Sequence, residues 1–381
     1  MNRYLKVLGD GQIWDLEGIA PDAPQKTFED LFSGRALGRM AQEEIKIFAA
    51  FKEKGRITGF SVTKALLSSN KEAKDAARVL LARLAKNAAL GIEALNKGKG
   101  FKKNWSGQKK AYWKNLDYII IGGGVSEGLT GKILVGSIKK YLSRARLFDI
   151  KVFQAKFPGK EAGFLGAAIN IIKEIRNEAE TKAVKVIAAI GLDLGRDEIG
   201  VGLSALNADS GKFLKQGNNY WLFKYSVKTP YKTYLKKFLD SRRDYTSSER
   251  KFGKHIRSTI LKRMSDLVAR AENKSQKIGL VCARNVGVAV PGATSPDGYI
   301  VNSTDYLPFF RKQDGFNFAG KLEESLIKTG HRGWRIHLIN DGIAAGVANG
   351  YLGLPGKEEG KFAFLGAGSG LGGCVGEVNT R

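Results

Sequence analysis

Four short segments, each directly after an apolar run, constrain the fold of this chain more than any other feature. Two are glycine turns and two are acidic strand ends, and they lie at Gly122–Gly124, Asp193–Gly195, Asn340–Asp341 and Gly366–Gly373. Binding groups in α/β proteins sit at the carboxyl ends of buried strands, which is the position that these segments would occupy. Glycine bares backbone N–H groups that bind phosphate, and strand-end carboxylates hold a metal ion or accept a proton. The four segments together predict phosphoryl transfer on an α/β fold.

The C-terminal half predicts one complete folding unit of order β-β-β-α-β-α-β-α. Its expected elements are strands 186–194, 199–206 and 220–227, a helix over 247–272, strand 286–290, a helix over 318–328, strand 336–339 and a helix over 342–351. This order is that of a ribonuclease-H-like unit. Residues 361–376 would then begin a second copy of its first strand.

The N-terminal half predicts more helix than strand. Apolar spacing of about 3.6 residues indicates helices over 35–53, 72–96, 128–142 and 163–176, and short apolar runs indicate strands 118–121 and 150–153. The polar stretch Asn177–Lys182 is interpreted as a linker between two units.

Composition excludes several classes of protein. The 381 residues suffice for two lobes, 43% of them are hydrophobic, and there are two cysteines, Cys282 and Cys374. No disulfide framework and no structural zinc are therefore expected. No run reaches the roughly 18 apolar residues that span a bilayer, and Met1–Lys6 lacks the apolar centre of a signal peptide, so a cytoplasmic protein with no membrane partner is expected.

The net charge of +26 indicates an affinity for anions. Lysines are densest at 97–114, where they alternate with Phe101, Trp105, Tyr112 and Trp113. Aromatic residues between cations can stack on bases, but one such segment without a nucleic-acid-binding fold is a weak signal. We interpret 97–114 as an exposed basic insertion, and no nucleic-acid partner is expected.

Six segments resemble those of the ROK family of sugar kinases. Pro291–Thr304 resembles the family's proline-glycine segment, and Leu338–Ala345 its Asn-Asp motif. Leu365–Gly373 is similar to its second phosphate loop and Phe28–Leu37 to its Leu-Glu-x-x-x-Ser-Gly segment. The remaining two, Ile121–Ser126 and Gly163–Ala168, resemble its adenosine-side turn and its closing helix.

The order of these segments differs from that of the family. Family members begin with the Asp-Leu-Gly strand and end with the closing helix, whereas here the closing helix at 163–176 precedes the Asp193 strand. The resemblance therefore implies two ribonuclease-H-like, actin-like lobes around a cleft, in circularly permuted order. The larger lobe would comprise 1–160 and 360–381, and the smaller lobe 161–359, with the closing helix at its start. The expected break is a hairpin between strands near Val378 and Tyr4.

The resemblance also implies the activity, an ATP- and Mg²⁺-dependent phosphorylation of a hexose or amino sugar. Asp341 would be the general base and Asp193 the residue that positions Mg²⁺. Sugar would be bound by Asn340, Glu29, Asn302, Thr304, Glu17 and Gly292. The nucleotide would be bound by Gly195, Arg196, Gly366, Gly368, Gly370, Gly372, Gly123 and Gly124. A homodimer is left open.

Two departures from the family keep alternatives open. Its Asp-x-Gly-Gly-Thr loop is here Asp193-Leu-Gly195-Arg196-Asp197. Its Glu-x-Gly-His sugar clamp has no match beyond two candidates for its glutamate, Glu17 and Glu377, and no histidine follows either. The basic charge also suits inorganic polyphosphate as the phosphate donor. A polyphosphate-dependent glucokinase and a non-catalytic sugar-binding regulator are the two alternatives.

Overall fold

The computed structural model describes residues 3–10, 25–98, 107–180, 185–195, 198–229, 246–302, 309–354, 359–368 and 371–380. These residues form two compact units. The continuous unit is Lys160–Ala348, and the split unit combines Arg3–Gly159 with Asn349–Arg381. The second boundary falls after Ala348, whereas the sequence had suggested one near 359.

The strands are β1 (Arg3–Asp10), β2 (Tyr118–Gly122), β3 (Lys151–Gln154), β4 (Val186–Leu194), β5 (Glu198–Asn207), β6 (Phe223–Lys228), β7 (Cys282–Val290), β8 (Ala293–Thr294), β9 (Ile300–Asn302), β10 (Arg335–Asn340), β11 (Gly360–Ala367) and β12 (Leu371–Thr380). Except for the short β8–β9 ribbon, these strands belong to two five-stranded sheets.

The α-helices are α1 (Phe28–Leu31), α2 (Gly34–Glu43), α3 (Ile45–Phe48), α4 (Gly59–Leu67), α5 (Lys71–Asn96), α6 (Gly107–Tyr112), α7 (Gly128–Arg144), α8 (Gly159–Glu180), α9 (Ser247–Lys277), α10 (Phe318–Lys328) and α11 (Asp341–Ala348). Short 3₁₀ turns cover Ala49–Phe51, Gly124–Ser126 and Lys312–Asp314, and a π-turn covers Asn349–Gly353.

The sheet of the continuous unit has the strand order β10-β7-β4-β5-β6. Strands β4, β5 and β6 form an antiparallel meander, and β7 and β10 add to β4 in parallel. Helix α9 packs on its core face through residues such as Ile260, Met264 and Val268, which are fully buried. The β-β-β-α-β-α-β-α order expected from the sequence is confirmed.

The sheet of the split unit has the same plan when it is read from β11. Its order is β1-β12-β11-β2-β3. Strands β11, β12 and β1 are an antiparallel meander, and β2 and β3 add to β11 in parallel. Position by position, β11, β12, β1, β2 and β3 match β4, β5, β6, β7 and β10. The meander of the split unit is therefore interrupted in the chain between β12 and β1.

The first and last described strands lie side by side. Tyr4 pairs with Asn379 and Gly9 with Val375, in an antiparallel register that shifts once between Val7 and Gly9. The strands expected near Val378 and Tyr4 are therefore neighbours in one sheet.

Helix α8 packs against the continuous sheet at backbone contact distance. A β-carbon on Gly191 would lie 1.8 Å from the Phe164 carbonyl oxygen, and one on Gly287 would lie 2.3 Å from that of Ala167. On the helix itself, a β-carbon on Gly166 would lie 1.7 Å from the Ala344 carbonyl oxygen in α11. Glycine is required at these three positions because a side chain would separate α8 from β4, β7 and α11.

The basic segment is not simply an exposed insertion. Residues 99–106 lie outside the described residues, but Gly107–Tyr112 is helical and Trp113 is 1% exposed. Trp113 belongs to the core of the split unit, together with Leu84, Ile92 and Ile119. Its indole is therefore unavailable to stack on a base, which corrects the expectation for this end of 97–114.

Two other boundaries differ from the sequence expectations. Helix α8 continues through Glu180, so Asn177–Glu180 is not a linker; glutamate and alanine there are good helix formers, and no glycine or proline intervenes. The single helix expected over 35–53 is instead α2, α3 and a 3₁₀ turn, broken at Glu44 with φ −105° and ψ 43°.

Among the helices that the structure describes, none has the length and apolar character needed to cross a membrane.

Candidate active site

Three parallel strands of the continuous unit end at one edge of its sheet, and each carries predicted site residues. Asp193 in β4 pairs with Ala289 in β7, which pairs with Ile339 in β10. With strands about 4.8 Å apart, Asp193 and the end of β10 are separated by roughly 10 Å. The carboxyl ends of parallel strands are where open α/β sheets bind ligands. The register therefore brings Asp193, Gly292 and Asn340–Asp341 to one edge.

Asp341 is the first residue of α11, directly after β10. Its Oδ1 accepts a hydrogen bond from the Gly342 N–H at 2.8 Å. The side chain is exposed, yet the surrounding protein desolvates the carboxylate and raises its pKa to about 6. Backbone hydrogen bonds from Gly342 and from Asp341 itself oppose this increase in pKa. Both observations fit a carboxyl that solvent reaches from one side only. A pKa near 6 suits a general base that is ionised at neutral pH.

Asn340 caps α11 and fixes the turn after β7. Its Oδ1 accepts from the Ile343 N–H at 3.1 Å, which is the bond that an N-cap makes to the third helical residue. Its Nδ2 donates to the Gly292 carbonyl at 3.0 Å. Gly292 has φ +116°, a backbone conformation that favours glycine. Asn340 therefore holds the N-cap position of α11 and leaves the Asp341 carboxylate available for chemistry.

Asp193 lies against the first turns of α8. A β-carbon on Gly163 would lie 2.6 Å from the Asp193 Cγ and 2.7 Å from its Oδ1. The carboxylate thus occupies the space that any other residue at position 163 would fill. No group of three or more metal-ligating His, Cys, Asp or Glu side chains occurs in the described ranges. Mg²⁺ needs only one or two carboxylates when substrate phosphates and water supply its other ligands. The Asp193 carboxylate, which lies at a strand end in the space that Gly163 leaves open, therefore fits as a Mg²⁺ ligand.

The predicted first phosphate loop, Asp193–Asp197, lies within the described residues only up to Gly195. The Gly195 N–H donates to the Glu198 carbonyl at 3.1 Å and so closes the turn between β4 and β5. Because that N–H is engaged, it is not available to a phosphate oxygen in this conformation. Arg196, the predicted substitute for a family glycine, lies outside the described residues.

The second glycine loop, in the split unit, is the β11–β12 hairpin. Gly366 pairs with Gly372, and Ala367 with Leu371. The Gly368 carbonyl accepts from the Gly34 N–H at 2.7 Å, next to the Ser33 cap of α2. A β-carbon on Gly34 would lie 2.5 Å from that carbonyl oxygen. Gly370, at the tip, lies outside the described residues. The predicted Ser33-Gly34 segment therefore supports the glycine hairpin directly.

The predicted adenosine-side turn borders a cavity of about 290 Å³ within the split unit. Its walls are Gly123, Ser126–Gly128 and Gln154–Gly159, at the carboxyl ends of β2 and β3. Gly123 has φ +83°, and a β-carbon there would lie 2.4 Å from the Ala367 carbonyl carbon. Gly124 is exposed, with nothing near its missing side chain. The cavity wall and the glycine hairpin are therefore in direct contact at Gly123.

The remaining predicted sugar-binding residues are only partly described. Glu29 in α1 is 3.6 Å from the Arg35 guanidinium, and its side chain is 28% exposed. Asn302 ends β9, where it pairs with Ala293, and nothing is described of its side chain. Glu17 and Thr304 lie outside the described residues.

Two residues of the candidate site were missed in the sequence. Gln154 lines the cavity but stands at the end of a four-residue strand, where a single polar residue gives no pattern. Gly163 leaves the space that the Asp193 carboxylate occupies, although the sequence indicated only a closing helix for the segment that contains Gly163. The glycine spacing in Gly163-Phe-Leu-Gly166 was the available signal.

Among the comparisons with known proteins, only the one with solved structures gives matches. No protein-family model matches the chain, and no curated protein matches it. Among solved structures, the ROK hexokinase from Thermus thermophilus is similar at 21% identity, over 49% of this chain and 46% of that one, with a TM-score of 0.29. The match thus spans less than half of the hexokinase chain.

Proposed function

We propose that the protein is an ATP- and Mg²⁺-dependent sugar kinase of the ROK type that phosphorylates a hexose or amino sugar. The observation that carries the proposal is the shared strand edge at which Asp193 and Asn340–Asp341 lie in the continuous unit. It combines a carboxylate suited to Mg²⁺ with a carboxylate whose pKa is raised to about 6. These are the two acidic functions that phosphoryl transfer to a hydroxyl requires.

Asp341 is assigned the proton transfer. Its carboxylate accepts the proton of the sugar hydroxyl as the sugar oxygen forms its bond to the γ-phosphorus and the bond to the bridging oxygen of ADP breaks. The products are a sugar phosphate and ADP, with one proton released to Asp341. The Gly342 N–H, bonded to Oδ1, orients the carboxylate for this step.

Asp193 is assigned to Mg²⁺, which when bound would neutralise charge on the donor phosphates. The α8 backbone at Gly163 limits where the Asp193 carboxylate can lie. Asn340 and Gly292, linked by their hydrogen bond, are assigned to the sugar together with Glu29, Asn302, Thr304 and Glu17.

The nucleotide is assigned to two neighbouring features of the split unit. Its base would occupy the 290 Å³ cavity beside Gly123 and Gly124. Its phosphates would lie along the β11–β12 hairpin, at Gly366, Gly368, Gly370 and Gly372. The close approach of Gly123, in the cavity wall, to Ala367, in the hairpin, supports the assignment of one nucleotide to both features.

The chain order is proposed to be a circular permutation of the family's order. In support, the two sheets share one strand order and one set of strand directions, but only if the split unit is read from β11 through β12 to β1. The side-by-side register of β1 and β12 supports a break in a hairpin connection. Such turns tolerate rearrangement because few buried backbone hydrogen bonds are lost there.

The test is a coupled assay of ADP production with ATP, Mg²⁺ and a panel of hexoses and amino sugars. We expect turnover with at least one sugar, and product analysis should show a phosphorylated hydroxyl. A folded protein that turns over with none of them contradicts the proposal.

A second donor, inorganic polyphosphate, is favoured by the net charge of +26. Replacing ATP by polyphosphate in the same assay separates the two donors. The non-catalytic alternative rests on the altered first phosphate loop, in which Arg196 replaces a glycine. If Arg196→Gly created activity in an otherwise inert protein, that alternative would hold; in a working kinase, Arg196→Ala should weaken nucleotide binding or turnover.

A further inference from the structure

The side-chain amide of Gln154 is held in one orientation at the wall of the split-unit cavity. Its Nε2 donates to the Ser126 carbonyl at 2.7 Å and to the Gly128 carbonyl at 3.2 Å. Both partners are carbonyl oxygens, which can only accept, so the nitrogen end of the amide is identified by its contacts. The oxygen end, Oε1, must therefore point away from these two carbonyls.

The turn that holds Gln154 is itself fixed. The Ser126 N–H and hydroxyl both donate to the Gly123 carbonyl, at 3.0 and 2.8 Å. In α7, a β-carbon on Gly131 would lie 2.4 Å from the Gln154 Nε2 and 1.7 Å from the Ser126 carbonyl oxygen. Glycine at position 131 thus leaves room for the amide, and the amide cannot rotate without losing both of its hydrogen bonds.

The Oε1 atom can accept a hydrogen bond that no described residue donates. No donor among the described residues contacts it, whereas Nε2 has both of its N–H groups engaged. Gln154 is half-buried and lines the cavity, at the end of β3. Gln154 therefore brings to the cavity wall an acceptor whose orientation is fixed by the hydrogen bonds of its nitrogen end.

We propose that Gln154 selects a purine base with a 6-amino group over one with a 6-oxo group in this cavity. The Oε1 atom would accept a hydrogen bond from the exocyclic N–H of adenine. The 6-oxo group of hypoxanthine or guanine would instead place an oxygen against Oε1, and the fixed amide cannot turn its nitrogen toward it. This inference rests on the proposed function, because it assumes that the cavity binds the base of the nucleotide.

The probe is a pair of ligands, ADP and inosine diphosphate, whose bases differ in the 6-substituent and in the N1 proton that accompanies the 6-oxo group. Their dissociation constants are measured by calorimetry for the full-length protein, without sugar. We expect the wild type to bind ADP about tenfold more tightly, since one fixed, half-buried acceptor distinguishes the two bases. Equal affinities for the two, or no binding of either, would overturn the inference.

Gln154→Met is the test variant, because methionine keeps the length of the side chain and removes both hydrogen-bonding atoms. Loss of the hydrogen bonds to Ser126 and Gly128 should weaken the binding of both ligands, whereas loss of Oε1 should change the ratio of their dissociation constants. We expect that ratio to fall from about tenfold to about one. A purely structural role would leave the ratio unchanged, and that result would overturn the proposal. Gln154→Asn, one methylene too short to make the same contacts, should show the same loss of ratio and guards against misfolding of the first variant.

Gln42→Met is the matched control. Gln42 lies in the same unit and donates from its amide to one backbone carbonyl, that of Ile57, at 3.4 Å, but it does not line the cavity. Its replacement should leave the ADP-to-inosine-diphosphate ratio at the wild-type value. Because binding is measured without turnover, a protein that phosphorylates no sugar but retains the ratio would contradict the proposed function and leave this inference intact.

Discussion

The side chain of Asn340 donates to the carbonyl of Gly292, 48 residues earlier in the chain, at 3.0 Å. The same side chain caps α11 through the Ile343 N–H. One amide thus holds the turn after β7 and the start of the helix that carries Asp341. Replacement of Asn340 tests both hydrogen bonds together.

We expect Asn340→Ala to lower the free energy of unfolding by about 1–2 kcal/mol, because a helix cap is lost and the Gly292 carbonyl loses its donor. Asn340→Asp should restore the cap but not the donor, and its charge beside Asp341 should raise the pKa of that carboxyl. Urea unfolding and pH–rate profiles of the two variants give the measurement. Equal stability of Asn340→Ala and wild type would show that the two hydrogen bonds contribute nothing.

Asp341→Asn should lower kcat by at least about 10²-fold, the lower end for loss of a general base. Asparagine still offers an oxygen to the Gly342 N–H, so the fold should be retained. The control is Asp297→Asn, an exposed carboxylate of the same unit that pairs with Lys312. Near-normal turnover of Asp341→Asn on the preferred sugar would remove Asp341 as the base.

The raised pKa of Asp341 predicts the pH dependence of both rate and stability. The carboxyl must be ionised to accept a proton, so kcat/KM should rise with pH through about 6 and level off above it. For stability the sign is opposite. The folded pKa lies above the ordinary pKa of about 3.9, so the folded state holds the proton more tightly between these values, and stability falls as pH rises across that window.

Comparison with Asp341→Asn isolates that contribution. The variant should gain thermal stability relative to wild type at pH 8, while at pH 3, below both pKa values, the difference should disappear. Differential scanning calorimetry at the two pH values provides the measurement. A difference that does not change with pH would mean that Asp341 does not titrate as described.

Gly163→Ala should displace the Asp193 carboxylate, because the new β-carbon would lie 2.6 Å from its Cγ. A displacement of about 1 Å at a catalytic site costs on the order of 10²-fold in rate, so we expect that loss together with a higher Mg²⁺ requirement. Gly136→Ala, at an exposed position of helix α7 with nothing within 4 Å, is the matched control and should leave both unchanged. A titration of the reaction rate with Mg²⁺ distinguishes the two variants. A wild-type Mg²⁺ dependence in Gly163→Ala would refute the role of the contact between Gly163 and Asp193.

Trp113→Ala should lower the free energy of unfolding by about 3–5 kcal/mol, because it removes a fully buried indole from the core of the split unit. Replacement of its exposed neighbour, Lys114→Ala, should change stability by less than about 0.5 kcal/mol. Urea unfolding of both proteins gives the comparison. If Trp113→Ala changed the free energy of unfolding only slightly, Trp113 would belong to the exposed basic segment, as the sequence suggested.

The sequence predicted long, regular elements well and contacts between distant segments poorly. Strand β4 and helix α10 were predicted to the residue, because apolar runs and apolar periodicity are properties of neighbouring residues. Burial of Trp113 could not be predicted, because alternation of aromatic and basic residues does not show which side faces the core. The Asn340–Gly292 bond and the Gly163–Asp193 contact join segments far apart in the chain, so no local pattern encodes them.

The position of β11 at the centre of the split-unit sheet has a consequence for folding during synthesis. Strands β1, β2 and β3 emerge from the ribosome long before β11 and β12, the strands that join them into one sheet. The continuous unit, Lys160–Ala348, emerges complete before those two strands and so can form its own sheet first. The N-terminal segment must therefore wait, with its apolar helices partly uncovered, until residues 360–380 arrive. Such a delay exposes hydrophobic surface and makes early chaperone binding most valuable for the half of the protein that is made first.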